Sequence, residues 1–203
     1  ETVLSLFVLG VTILLVFNFA LDVVPANVSR LAPGLLWIAI IFSAMLGLGR
    51  TFLIERENAC MAGLLMAPLD RGALFIAKLA VNFLLIITFE LLLLPVFVLL
   101  FDLELGGRMI ALAAVLAGGT LGLAAVGTLF ALAALGTRAR ELMLPILVLP
   151  LQIPLLIAAV KATSLVMAGA AVTELGPWGH LMAAFDILFV TVGWLAFEFV
   201  SVD

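Results

Sequence analysis

Residues 49–78 of the chain read GRTFLIERENACMAGLLMAPLDRGALFIAK and separate two long apolar runs. This stretch carries seven charged residues of both signs, whereas the runs on either side of it carry almost none. Apolar runs flanking a charged interval are typical of membrane-spanning helices joined by a segment in water. We therefore expect residues 49–78 to be where the protein meets something in water.

The composition of the whole chain agrees with a membrane protein. Of its 203 residues, 67% are hydrophobic and 11% are charged, whereas a soluble domain has about 25% charged residues. The net charge of −4 is spread along the chain, and no basic block is present that would favour nucleic acid. Because the sequence opens on Glu1 and runs at once into apolar residues, we interpret it as a fragment or a processed form.

Six segments are apolar enough to cross a bilayer as helices, which need about 20 residues each. They are residues 3–21, 31–48, 74–101, 109–135, 142–160 and 180–200. The chain is therefore predicted to be an all-α membrane protein with six transmembrane helices, forming a single domain over residues 1–203. Residues 49–73 form its charged loop.

The basic residues predict how the chain is oriented. The side with both chain ends would hold Arg50, Arg56, Arg71, Lys78, Arg138 and Arg140, and the other side Arg30, Arg108 and Lys161. Cytoplasmic loops carry the excess of lysine and arginine. We therefore expect both termini and the charged loop to be cytoplasmic.

Within the charged loop, residues 57–67 can form a short amphipathic helix. Met61, Leu64 and Leu65 fall on one face at helical spacing, Glu57 lies near the favourable N-terminal end, and Pro68 ends the helix. Such a helix can lie in the lipid interface or dock into the groove of a partner. The pattern does not decide between the two.

Polar residues within the predicted spans are candidates for function, because they are costly in lipid. Asn82 and Glu90 lie in the third span, where they can serve the structure of the bundle or contact a substrate or partner. We expect Asp186 and Glu198, in the sixth span, to lie near the interfaces, where charge is tolerated.

The fourth span repeats small residues four positions apart at Ala114, Gly118 and Gly122. This spacing lets helix backbones approach closely in lipid. The seam can join helices within one subunit or join two copies of the chain.

Catalytic and metal-binding motifs are absent from the sequence. No phosphate-binding G-x-x-x-x-G-K-[ST] motif, no G-x-S-x-G, no H-E-x-x-H and no C-x-x-C occurs. One histidine, His180, and one cysteine, Cys60, are poor material for a metal site or a nucleophile–base pair. We predict no catalytic residues, no metal and no ATPase activity in this chain itself.

Four segments together resemble the haem exporter B (CcmB) family of cytochrome c maturation. They are LAPGLLWIA at 31–39, RTFLIERE at 50–57, LxxAPL at 64–69 followed by AK at 77–78, and ILVLPLQIPLLI at 146–157. The resemblance covers nearly the whole chain. It implies an ABC-2-like exporter permease in the bacterial inner membrane.

The resemblance also implies partners and roles. Permeases of this family pair with a separate ABC ATPase subunit and associate with a haem-handling membrane subunit. We also expect a second permease copy as a partner. The resemblance implies no bound cofactor for this chain and makes haem a candidate substrate of the complex. The predicted short helix would be the coupling helix that seats in the ATPase. Its residues would be Arg56, Glu57, Met61, Leu64, Leu65 and Pro68.

ATP hydrolysis would then drive haem export or the release of a haem-loaded chaperone. Two alternatives stay open on the residues alone. The chain can be the permease of another ABC-2-type exporter, with a lipid or drug-like substrate. It can also be a membrane scaffold with no transport cycle.

Overall fold

The structure, a computed structural model, describes residues 2–21, 28–57, 71–103, 106–133 and 140–200. Its helices are α1 (Thr2–Ala20), α2 (Val28–Glu57), α3 (Arg71–Leu100), α4 (Met109–Ala133), α5 (Arg140–Ala168) and α6 (Val172–Val200), and a 3₁₀ turn covers Gly106–Arg108. Each of the six helices is long and apolar enough to cross a membrane. The predicted all-α fold with six transmembrane helices is confirmed.

Three helix ends differ from the predicted spans by eight residues or more. Helix α2 continues to Glu57 instead of ending at residue 48, α5 continues to Ala168 instead of 160, and α6 begins at Val172 instead of residue 180. The sequence of residues 50–57 contains no glycine or proline, so a helix can leave the apolar span without interruption. The hydrophobic pattern marks where lipid ends and not where the helix ends.

The end of α5 is set by Gly169, which has a φ of +76°. The amide of Gly169 donates to the carbonyl of Val166 at 3.1 Å, and the amide of Ala170 donates to that of Leu165 at 3.0 Å. These two bonds form a Schellman motif, which needs a left-handed residue at this position. The guanidinium of Arg108 lies against Gly169 and donates to the carbonyl of Met167 at 3.3 Å, so it ties the α3–α4 connection to the end of α5.

Helix α4 is the centre of the bundle. It contacts α2, α3, α5 and α6. These four helices form a ring around it, because α2 and α6 each also contact both α3 and α5. Helix α1 lies outside this ring, against α2 and α3. Its spanning segment is accordingly 17% buried, compared with 72% for that of α2 and 56% for that of α4.

Glycines explain how α2 and α6 fit closely against α4. The side chains of Trp37 on α2, Asp186 on α6 and Leu48 on α2 lie against Gly119, Gly122 and Gly127, where a Cβ atom would collide with them. Small residues allow this close approach in a bilayer, where packing contacts replace the hydrophobic effect as the force between helices. The position of α4 therefore depends on its lack of side chains at these sites.

The adjacent glycines Gly118 and Gly119 give a matched pair of variants. We expect Gly119→Ala to lower the free energy of unfolding by about 1–3 kcal/mol, because its Cβ would overlap the buried ring of Trp37. Gly118→Ala meets only the flexible tip of Met182, at 3.0 Å, and we expect it to be neutral. Melting temperatures of the two purified variants in detergent test this, and equal values would contradict the assigned packing.

Candidate functional site

The structure places the predicted coupling residues only in part. Arg56 and Glu57 are in the last turn of α2, so Glu57 ends a long helix where the sequence predicted the start of a short one. The side chains of Arg56, Glu57 and Glu198 lie outside the described residues. The whole of Met61, Leu64, Leu65 and Pro68 also lies outside them, as does Cys60.

Asn82 and Glu90 are both buried and both hydrogen-bonded to α4. The amide Nδ2 of Asn82 donates to the hydroxyl of Thr128 at 2.8 Å, and the hydroxyl of Thr120 donates to Oε1 of Glu90. Both threonines are fully buried. The two residues predicted as an intramembrane polar site therefore serve the contact between α3 and α4.

The two bonds, Asn82 to Thr128 and Thr120 to Glu90, form a polar ladder between α3 and α4 whose rungs are equally spaced on both helices. Asn82 and Glu90 are eight residues apart on α3, and Thr128 and Thr120 are eight residues apart on the antiparallel α4. Eight residues of helix span about 12 Å, so the two rungs lie at different depths of the bundle. Directional bonds at two depths fix how far α3 can slide along α4.

The expectation that Asp186 lies near an interface was wrong. Asp186 is 7% exposed and lies in the middle of α6, against the bare Cα of Gly122. The reason is that α6 begins eight residues earlier than predicted, at Val172, which moves Asp186 from the end of the span to its centre.

Sequence reasoning missed Gln152 altogether. It is fully buried on α5, and its Nε2 makes long contacts of 3.5 and 3.4 Å to the carbonyl oxygens of Gly122 and Leu123. Gln152 and Asp186 therefore approach Gly122 from two different helices. The signal that could have found Gln152 is a lone amide in the middle of the apolar run 146–157.

The four polar side chains share one property. Each has a buried oxygen without a hydrogen-bond donor among the described residues: Asn82 Oδ1, Glu90 Oε2, Gln152 Oε1 and Asp186 Oδ1. Leaving such an acceptor unpaired costs about 1–3 kcal/mol. The interior therefore holds four polar oxygens that can pair with another polar group, such as water.

Another buried polar contact lies between α2 and α5. The indole Nε1 of Trp37 donates to the hydroxyl of Thr163 at 3.0 Å, and that hydroxyl donates to the carbonyl of Ala159 at 2.8 Å. Within the described residues, no group of three or more histidine, cysteine, aspartate or glutamate side chains could hold a metal ion. The polar groups thus join helices and do not form a metal-binding cluster.

The small-residue repeat of α4 faces α6 of the same chain over part of its length. A Cβ on Gly118 would touch Met182, and one on Gly122 would meet Asp186 and Phe185. Ala114 is exposed. The structure thus brings Gly118 and Gly122 into packing within one subunit and leaves Ala114 on the surface of the chain.

Comparison with known proteins gives one family and a set of short matches. Heme exporter protein B of Escherichia coli (strain K12) is 30% identical over 66 residues, which are 32% of this chain and 30% of that protein. Heme exporter protein B of Shigella flexneri matches to the same extent. The aligned segment is therefore about a third of each of these relatives.

The family comparison covers much more of the sequence. The model described as "CcmB protein" matches residues 1–200, which include all six helices. On that match, the chain belongs to the CcmB family.

Proposed function

We propose that this chain is the permease subunit of an ABC transporter complex for cytochrome c biogenesis. In the proposed complex, a separate subunit hydrolyses ATP, and this chain couples the hydrolysis to haem export or to the release of a haem-loaded chaperone. The observation that carries the proposal is the CcmB family match over residues 1–200. The name of the short-matching relatives, heme exporter protein B, and the six apolar helices support it.

The proposed partners include a separate ABC ATPase subunit, because the given residues contain no phosphate-binding loop of the ATPase type. We propose a haem-handling membrane subunit and a second permease copy as further partners. The basic residues favour an inner-membrane orientation with both termini in the cytoplasm.

The extension of α2 supports a mechanical link to the ATPase. The apolar segment of α2 ends at Gly49, and the helix continues to Glu57, which adds about 12 Å of rigid rod beyond the span. This rod leads directly into residues 58–70, which hold the proposed coupling face. Motion of an ATPase bound there would reach the bundle through α2.

We propose that the polar ladder restricts α3 to discrete positions along α4. Because its rungs are hydrogen bonds at fixed spacing, α3 either keeps them or breaks them, and a gradual slide is unfavourable. A seam of this kind can have two packings that ATP binding and hydrolysis select in turn. In the second packing, the unpaired oxygens of Asn82 and Glu90 would find partners.

Cytochrome c maturation tests the proposed function directly. In a strain that lacks this chain, we expect covalently haem-loaded cytochrome c to be lost and to return when the wild-type chain is supplied. Haem staining of membrane and periplasmic proteins after electrophoresis measures this. Normal cytochrome c in the deletion strain would overturn the proposal.

Docking of the ATPase tests the coupling face. We expect Leu64→Asp to reduce co-purification of the ATPase strongly, because a charge would replace an apolar contact in its groove. The control is Met109→Asp, a half-exposed apolar residue at the opposite end of the bundle, which should keep the ATPase bound. Full retention by Leu64→Asp would rule out this coupling face and favour a scaffold without a transport cycle.

A double-mutant cycle tests the ladder. We expect Asn82→Leu and Thr128→Val to show a coupling energy of about 0.6 kcal/mol in unfolding experiments in detergent, as for other hydrogen bonds between transmembrane helices. Thr88→Val is the matched control, since among the described residues the hydroxyl of Thr88 bonds only to the carbonyl of Leu84 on its own helix. Asn82→Leu should also slow ATP-driven maturation, and additivity of the two changes would contradict the assigned bond.

A further inference from the structure

A groove of about 340 Å³ lies between α2 and α5, open on one side. One wall is the helical face Gly34, Trp37, Ile38 and Ile41, and the other is Leu156, Ile157, Val160 and Lys161. Seven of these eight side chains are apolar or absent, and the eighth is a cation. None of these eight residues belongs to the polar ladder or to the proposed coupling face.

Lys161 has an unusual position for a charged residue. It is exposed and makes no hydrogen bond or ion pair with the described residues. It lies seven residues before the end of the spanning segment Ile146–Ala168, which is about 10 Å along the helix axis. A cation within an apolar segment is costly in lipid unless it reaches the interface or pairs with an anion.

The size of the groove limits the apolar group that it can hold. Ligand sites enclose roughly 300–1,000 Å³, so this groove is at the lower limit and suits a single flexible chain better than a broad ring system. A Cβ placed on Gly34 would meet nothing within 4 Å, so the groove has open space beside this residue. The lining has no histidine, cysteine, methionine or tyrosine that could hold a haem iron.

The positive charge beside the groove favours a ligand with an anionic group. Arg30 is exposed one helical turn before Gly34 and adds a second positive group toward the start of α2, whereas no residue of the lining is acidic. Lysine and arginine near a membrane surface attract anionic headgroups. We propose that this groove binds one anionic phospholipid, with an acyl chain between α2 and α5 and its phosphate at Lys161.

This site would act on the contact between α2 and α5. The buried bond from Trp37 to Thr163 lies beside the groove, because Trp37 also forms its wall. An acyl chain seated there would hold α2 against α5 at the end of the bundle opposite to residues 58–70. The proposal does not depend on haem transport and can fail or succeed independently of it.

Native mass spectrometry of the delipidated full-length chain in detergent tests the site. We expect one dioleoylphosphatidylglycerol molecule to bind in preference to dioleoylphosphatidylcholine. Lys161→Gln should reduce the affinity for phosphatidylglycerol about fivefold and leave phosphatidylcholine unchanged, and Lys161→Arg should keep the preference. Equal binding of the two lipids to the wild type, or no effect of Lys161→Gln, would overturn the proposal.

A matched pair of glycine variants tests the apolar half of the site. Gly34→Leu should reduce the binding of both lipids by filling the groove, whereas Gly179→Leu should not, although a Cβ at Gly179 on α6 also meets open space. Equal effects of the two variants would overturn the assigned groove. If Lys161→Gln kept its lipid but lost a co-purifying membrane protein, Lys161 would belong to a protein interface and the lipid site would be rejected.

Discussion

Close contact of four helices with α4 is the constraint on which the bundle depends. In a bilayer, apolar side chains gain nothing by leaving lipid for another helix, so helices associate by fitting their surfaces closely. Gly119, Gly122 and Gly127 provide the space, and Trp37, Asp186 and Leu48 occupy it. These glycines let α2 and α6 come near the backbone of α4, and α3 and α5 complete the ring around it.

The polar groups of the interior depend on that same closeness. Threonine hydroxyls on α4 reach Asn82 and Glu90 only because α3 lies against α4, and Gln152 reaches the carbonyl oxygens at Gly122 only where α4 has no side chain in the way. Such bonds add modest stability, but they act along defined directions. Packing therefore holds the helices together, and hydrogen bonds determine their register.

Much of the fold follows from the sequence alone, and much of the site does not. Length and hydropathy identified six spans, and polar residues inside a span identified Asn82 and Glu90. The rotation of each helix and its true ends depend on its neighbours, which is why Asp186 was placed near the interface and Gln152 was missed. Lys161 was visible only as one more basic residue until α2 supplied the second wall of its groove. The coupling face at 61–65 lies outside the described residues and stays a prediction.

The unbroken course of α2 restricts how this chain can vary in length. From Val28 to Glu57 it is one helix of 30 residues, about 45 Å long, against an apolar bilayer core of about 30 Å. Each residue added to or removed from its projecting part would turn everything after Glu57 by about 100° and shift it by about 1.5 Å. Single-residue insertions or deletions between Gly49 and Glu57 would therefore change the direction in which residues 58–70 leave the bundle. A flexible loop can take up an added residue without moving its ends, but a rigid helix converts it into a rotation and a shift of the residues that follow.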